Sequence, residues 1–272
     1  MRRLIICFCL SISFLSLSAQ LKLDTAMTPE QMVQDVLLGG RVEVSNVQIK
    51  GKPMSYGTFT DVSPKPLIGN GLLFSTGLIS DVHGPNDRPN SGLHQGGKGN
   101  YDLSILAGYP TYDATGIEFD FVPEYDWFQF NFVFASEEYI EYVNSRYNDV
   151  FAFFISGPGF ESRTNLAVIP GTTKPITINT INHGKHADFY VDNNIFGRAG
   201  MPMQTLPVTV DTAWYNTFQF DGLTKPITIG ANVRPGKKYH IAIYIADVSD
   251  GDVFLGVQHF AVGVSGSRLV NE

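Results

Sequence analysis

Apolar and polar residues alternate with a period of two through much of this chain, most clearly in Ile117-Glu118-Phe119-Asp120-Phe121 and Phe128-Gln129-Phe130-Asn131-Phe132. Successive side chains of a strand point to opposite faces, so each segment offers one face to a core and one to water, as antiparallel sandwich strands do. Further strands are predicted around Val42, Val44, Val47 and Ile49 and over residues 150–155, 176–181, 218–220, 227–233, 239–246 and 259–264. Gly157-Pro158-Gly159, Pro170-Gly171, Asp221-Gly222 and Pro235-Gly236 separate them with turn chemistry. One segment breaks this rhythm. Thr28-Pro29-Glu30-Gln31 has a hydroxyl at the N-cap, proline at the first helical position and glutamine three residues after the cap, which is a capping box. With Met32, Val33, Val36 and Leu37 at helical spacing and Gly39-Gly40 as a stop, it predicts a helix over 29–38. The expected fold is all-β: a single antiparallel β-sandwich of jelly-roll type with a short N-terminal helix. Two long polar stretches, 83–100 and 182–204, interrupt the strands, and loops of that length in a compact β domain are functional or mobile.

The first residues follow a different logic. Arg2 and Arg3 precede an apolar run over 4–17, and Ser18-Ala19-Gln20 offers a cleavage point after Ala19. This reads as a secretory signal peptide over 1–19, followed by one domain over 20–272. The run is too short to span a bilayer, and no later segment reads as a transmembrane helix. Cys7 and Cys9, the only two cysteines, both lie inside it. The exported chain would therefore have no disulfide and no cysteine nucleophile. Losing the two arginines takes the formal charge from −7 to −9, which argues against nucleic acid as a partner. The expected location is extracellular or at the outer cell surface, with the periplasm as a further option.

Candidate chemistry concentrates on acidic residues near strand ends. Calcium takes six to eight oxygen ligands, and loops rich in Asp, Asn and Glu can converge them. Glu137 and Glu138 follow one apolar strand, and Asn148-Asp149 precedes the next. Asp247, Asp250 and Asp252 form a second group at the end of another. Glu137, Asp149, Asp247, Asp250 and Asp252 are thus the candidate calcium ligands. The competing reading is that Asp and Asn cap turns while the glutamates solvate a strand end. A glycosidase would need two carboxylates a set distance apart, for which Glu118, Glu124 and Glu141 are available. Adjacent Glu137 and Glu138 cannot be that pair with each other, because a strand points them to opposite faces.

Other motifs are weaker. Residues 92–99, GLHQGGKG, meet P-loop spacing up to Lys98 but carry Gly99 in place of the magnesium-binding hydroxyl, and read as a flexible loop. His183 and His186 lack an evident third zinc ligand beyond Asp188. Phe128, Phe130, Phe132 and Phe134 share one strand face and read as core. Tyr139, Tyr142 and Trp214 lie near loops and are the candidate ligand-binding aromatics.

Residues 134–159 read FASEEYIEYVNSRYNDVFAFFISGPG, which closely resembles the hallmark segment of the bacterial choice-of-anchor L domain. Supporting segments are LAVIPGTTKP at 166–175, ITINTINHG at 176–184, FDGLTKPITI at 220–229 and YHIAIYIADVSDGD at 239–252. The resemblance implies an exported surface or extracellular protein and no established catalytic chemistry. Residues and resemblance together predict an exported, non-catalytic recognition or structural module, with calcium as its cofactor and an extracellular glycan or surface protein as its partner. The alternatives are a secreted carbohydrate-active hydrolase using a carboxylate pair and a subunit of a larger surface assembly.

Overall fold

The computed structural model describes residues 21–40, 42–87, 91–92, 95–160, 162–194, 212–248 and 260–265. The proposed signal peptide lies outside them. The strands, in chain order, are β1 (Leu21–Asp24), β2 (Glu43–Lys50), β3 (Tyr56–Asp61), β4 (Asn70–Ser75), β5 (Tyr112–Val122), β6 (Trp127–Ser136) and β7 (Val150–Ser156). They continue with β8 (Thr164–Asn165), β9 (Tyr190–Asp192), β10 (Gly222–Thr224), β11 (Ile227–Asn232), β12 (Tyr239–Asp247) and β13 (Phe260–Ser265). Among the described residues these form two antiparallel sheets. One runs β1-β3-β4-β13-β6-β10-β9 with β11 also paired to β6, and the other runs β2-β5-β12-β7-β8. From β4 onward the chain crosses repeatedly between the sheets, so that β4-β13-β6-β11 lies opposite β5-β12-β7-β8. That interleaving is a jelly-roll order.

The alternation read from sequence builds the interface between the sheets. Phe128, Phe130, Phe132 and Phe134 of β6 are all buried and face inward. Phe130 meets Phe153 and Phe132 meets Phe151 across the gap, with ring centroids 4.9 and 4.7 Å apart. Each fully buried Phe contributes roughly 1.5–3 kcal/mol. Strands β7 and β12 do not alternate, because both their faces are buried. Phe151, Phe153 and Ile155 join the main core, while Val150, Ala152 and Phe154 join Ala242, Tyr244 and Ala246 of β12 in a second cluster on the outer side.

Short helices accompany the sheets, three of them α-helical among the described residues. The Thr28 hydroxyl and the Gln31 side chain form the expected reciprocal cap at the start of α1 (Pro29–Gln31). The chain then widens into a π-helical turn, Met32–Leu37, in which the Leu38 N–H donates to the Val33 carbonyl. Helix α2 (Tyr101–Ala107) covers the outer cluster with Leu103, and α3 (Thr212–Thr217) follows later in the chain. Sequence periodicity did not reveal α2, but its ends are legible. Asn100 accepts from the Leu103 N–H, and Gly108 closes the helix in the left-handed region at φ 76°.

Two predicted strands are absent. Residues 176–181 form a local turn, in which the Thr177 carbonyl accepts from the N–H groups of Thr180 and Ile181. Ile176, Ile178 and Ile181 are buried all the same, so apolar alternation here reports a segment plugging the core. Residues 218–220 form no strand, and Phe218 makes only an isolated bridge to His83.

Candidate cation-binding site

Two strand registers assemble a set of acids at one end of the sandwich. Ala246 of β12 pairs with Val150 of β7, which places Asp247 and Asp149 at the same end of their antiparallel strands. Ser136, the last residue of β6, pairs with Gly222 of β10, which brings Asp221 beside the start of the Glu137-Glu138 segment. The Ser136 hydroxyl ties the sheets together by donating to Asp149 Oδ2 at 2.9 Å and accepting from the Glu138 N–H at 3.0 Å.

The two adjacent glutamates serve different neighbours. Glu138 lies against Asp149 and in the field of Asp247, whose carboxylate is favoured in its charged form by the Thr76 side chain. Glu137 faces Asp221 and Glu141. On sequence Glu137 was grouped with Asp149 and Asp247; in the turn that follows β6, Glu138 is the neighbour of Asp149 and Asp247, while Glu137 lies with Asp221 and Glu141.

Burial dominates the electrostatics. Glu137, Asp149 and Asp221 are 0% exposed, Asp247 is 6% exposed and Glu138 7%. Burial first, then the charge of Asp221 and of Glu141, pushes Glu137 up to about 10. Asp221 is raised to about 8, again chiefly by burial. Burial also holds Glu138, Asp149 and Asp247 well above the usual carboxylate range, and their mutual repulsion adds to it. Among the described residues, no ammonium or guanidinium is a named cause of these shifts.

Both oxygens of Glu137 and one each of Glu138, Glu141, Asp149 and Asp247 are buried without a hydrogen-bond partner. Such groups cost about 1–3 kcal/mol each, and more when charged. The Gln219 side chain, the neighbour that favours the charged form of Glu137, does not reach hydrogen-bond geometry with it. Asp221 is better supported, accepting from Asn86 Nδ2 at 2.9 Å and Asn194 Nδ2 at 3.1 Å. Among the described residues no three His, Cys, Asp or Glu side chains form a group able to hold a metal by themselves. Calcium would thus need hydroxyl, amide, backbone or water oxygens to complete its shell. The Thr76 hydroxyl beside Asp247 and the unpartnered Asn193 Oδ1 are of the right type.

Of the other predicted site residues, Asp250 and Asp252 lie outside the described residues. Tyr139, expected near the surface, is fully buried. Its ring packs on Tyr190 at 4.9 Å and its hydroxyl donates to the Ile181 carbonyl at 2.8 Å, so it is a core residue and presents no binding surface. Tyr142 is half-buried with its ring edge-on to Tyr147. Trp214 is also half-buried, donating to the Lys65 carbonyl at 3.2 Å with the Lys65 ammonium 4.4 Å from its ring centre. Sequence reasoning missed Asp221, Asn86, Asn193 and Asn194. Asp221-Gly222 read as a turn, and the acid and amide run Asp192-Asn193-Asn194 was the available signal.

Residues 20–261 match the choice-of-anchor L domain. The chain belongs to this family. Neither the curated proteins nor the solved structures contain a match. The Glu137-Glu138 segment, Asp149, Asp221 and Asp247 all lie inside the choice-of-anchor L match, whose family places the chain among exported surface modules. No helix among the described residues is long and apolar enough to cross a membrane.

Proposed function

We propose that this choice-of-anchor L domain is a non-catalytic recognition and structural module outside the cytoplasm, and that calcium links its two sheets at one end, held by Asp149, alone or with one of Glu138 and Asp247, together with hydroxyl, amide, backbone or water oxygens. The observation that carries this reading is the set of buried carboxylate oxygens without partners. Buried charges persist when they are paired or coordinate a metal. Millimolar calcium outside the cell suits ligands of this type. A domain without disulfides gains from such a link between β7, β12 and the end of β6.

A carboxylate-pair hydrolase draws less support. Burial alone would raise Glu118, but bonds from the Tyr244 hydroxyl and the Arg163 guanidinium outweigh it and hold Glu118 below its ordinary value. A general acid needs the opposite shift.

The test is thermal unfolding of residues 20–272 in calcium and in chelator. Calcium at about a hundred times its Kd stabilises by about 2.7 kcal/mol, which for a domain of this size raises Tm by about 5–10 °C. The rise should vanish in Asp149→Asn. An unchanged Tm at millimolar calcium would reject the site.

A further inference from the structure

A second feature lies on the outer face of the sheet that contains β5 and β12. A cleft of ≈ 550 Å³ runs between the end of β2, residues 95–101 and the strand face carrying Glu118 and Tyr244. That volume falls within the range of small-ligand sites, about 300–1,000 Å³.

Residues 95–99 of the glycine-rich segment expected to be a flexible loop form a pinned wall of this cleft. Its backbone bridges to β5: the Asp113 N–H donates to the Gly97 carbonyl at 3.3 Å and the Ala114 N–H to the Lys98 carbonyl at 3.0 Å. The Asp113 carboxylate accepts from the N–H groups of Gln95 and Gly97. A Cβ on Gly99 would come within 1.8 Å of the Thr111 carbonyl oxygen, so glycine is required for this close approach. The wall is thus pre-formed, which lowers the cost of ordering on binding.

The lining has a definite charge. Lys50, Lys52, Lys98 and Arg163 face it, against Asp113 and Glu118. Both acids are already engaged internally, Asp113 by backbone donors and Glu118 by Arg163 at 2.8 Å. Arg163 is satisfied in turn by Glu118 and Asp102. Lys52 bonds only a neutral carbonyl, that of Gln95, and the exposed Lys50 and Lys98 form no ion pair among the described residues. A molecule of net charge −7 therefore keeps uncompensated ammonium groups in one cleft. At its rim Tyr101 is 79% exposed, and Ile105 one turn along the same helix is 63% exposed. An exposed ring beside hydrogen-bond donors suits stacking of a sugar.

We infer that this cleft binds an acidic polysaccharide, with a sugar ring on Tyr101 and its carboxylate or sulfate at Lys50, Lys52 and Lys98. This gives a ligand class to the recognition role proposed above and rests on that reading, while its residues are separate from the acids assigned to calcium. A peptide of Asp and Glu residues could satisfy the ammonium groups but has no ring to lay on Tyr101.

The test is affinity electrophoresis and calorimetry of residues 20–272 with polygalacturonate, a sulfated galactan, neutral dextran and poly-glutamate, each in calcium and in chelator. Retardation by either acidic glycan that persists in chelator, with none by dextran, supports the cleft. Lys50→Gln with Lys98→Gln should weaken binding roughly tenfold or more, and Tyr101→Ala roughly fivefold, at unchanged Tm. These side chains are exposed, so the variants test binding without testing folding. Absence of retardation, equal binding to poly-glutamate, or unaltered affinity in both variants would overturn the inference. A calcium-dependent rise in Tm alongside any of those results would leave the calcium reading standing and reject the cleft alone.

Discussion

Asp149 carries most of the consequence at the residue scale, because its carboxyl touches Ser136 from one sheet and Glu138 from the segment that joins the two. Replacing it by Asn removes charge while keeping shape. In calcium the change removes a ligand and lowers stability. In chelator it removes repulsion from Glu138 and Asp247 and leaves stability equal or higher. That reversal of sign, read by Tm in the two conditions, separates a metal ligand from a turn-capping residue, which would weaken the fold in both.

The pH response follows from the neighbouring acids Glu137 and Asp221. Glu137 and Asp221 have ordinary values of 4.5 and 3.8 and folded values of about 10 and about 8. Between those limits the metal-free fold holds protons that the unfolded chain has released, so its stability is fully present below the unfolded values and falls as pH rises. Urea unfolding in chelator should give a lower midpoint at about pH 9 than at about pH 5. Calcium needs its own ligand acids ionised, and burial holds Glu138, Asp149 and Asp247 above the usual carboxylate range, so calcium affinity should rise with pH. A metal-free domain more stable at the alkaline end would contradict the burial of these groups.

At the scale of elements, local chemistry and packing contribute separately. The Thr28–Gln31 capping box is a local device, and Thr28→Ala should cost about 1 kcal/mol in denaturant unfolding. Gly99 is a tertiary requirement. Gly99→Ala drives a methyl group into the Thr111 carbonyl, and such overpacking costs about 1–3 kcal/mol. It should also loosen the cleft wall and weaken acidic-glycan binding, whereas Thr28→Ala should leave binding unchanged. The sequence carried no sign of this difference, since a glycine-rich run looks the same whether it is free or pinned.

At the scale of the whole molecule, the acid cluster and the cleft adjoin. The Thr76 side chain favours the charged form of Asp247 and also lines the cleft, and Asp113 in its wall lies in the field of Asp247. A cation at Asp247 makes the floor of the cleft less negative. Affinity for polygalacturonate should therefore be a few-fold higher in calcium than in chelator, with Asp149→Asn abolishing the difference but not the binding. Linkage requires the converse, so the glycan should tighten calcium binding by the same factor.

The amino-acid sequence by itself determined the β architecture, the helix start and the inward phenylalanine face, because strand period and capping chemistry are local. It also marked the 134–159 segment through which family membership was legible. Only the tertiary structure decided that Glu138, and not Glu137, is the neighbour of Asp149 and Asp247, since β-sheet register sets which acids meet. It turned 176–181 from a strand into a core plug and buried Tyr139. It also made a wall of the glycine-rich loop, through contacts with β5 that lie far along the chain. These are outcomes of long-range pairing and burial, which no local pattern of residues encodes.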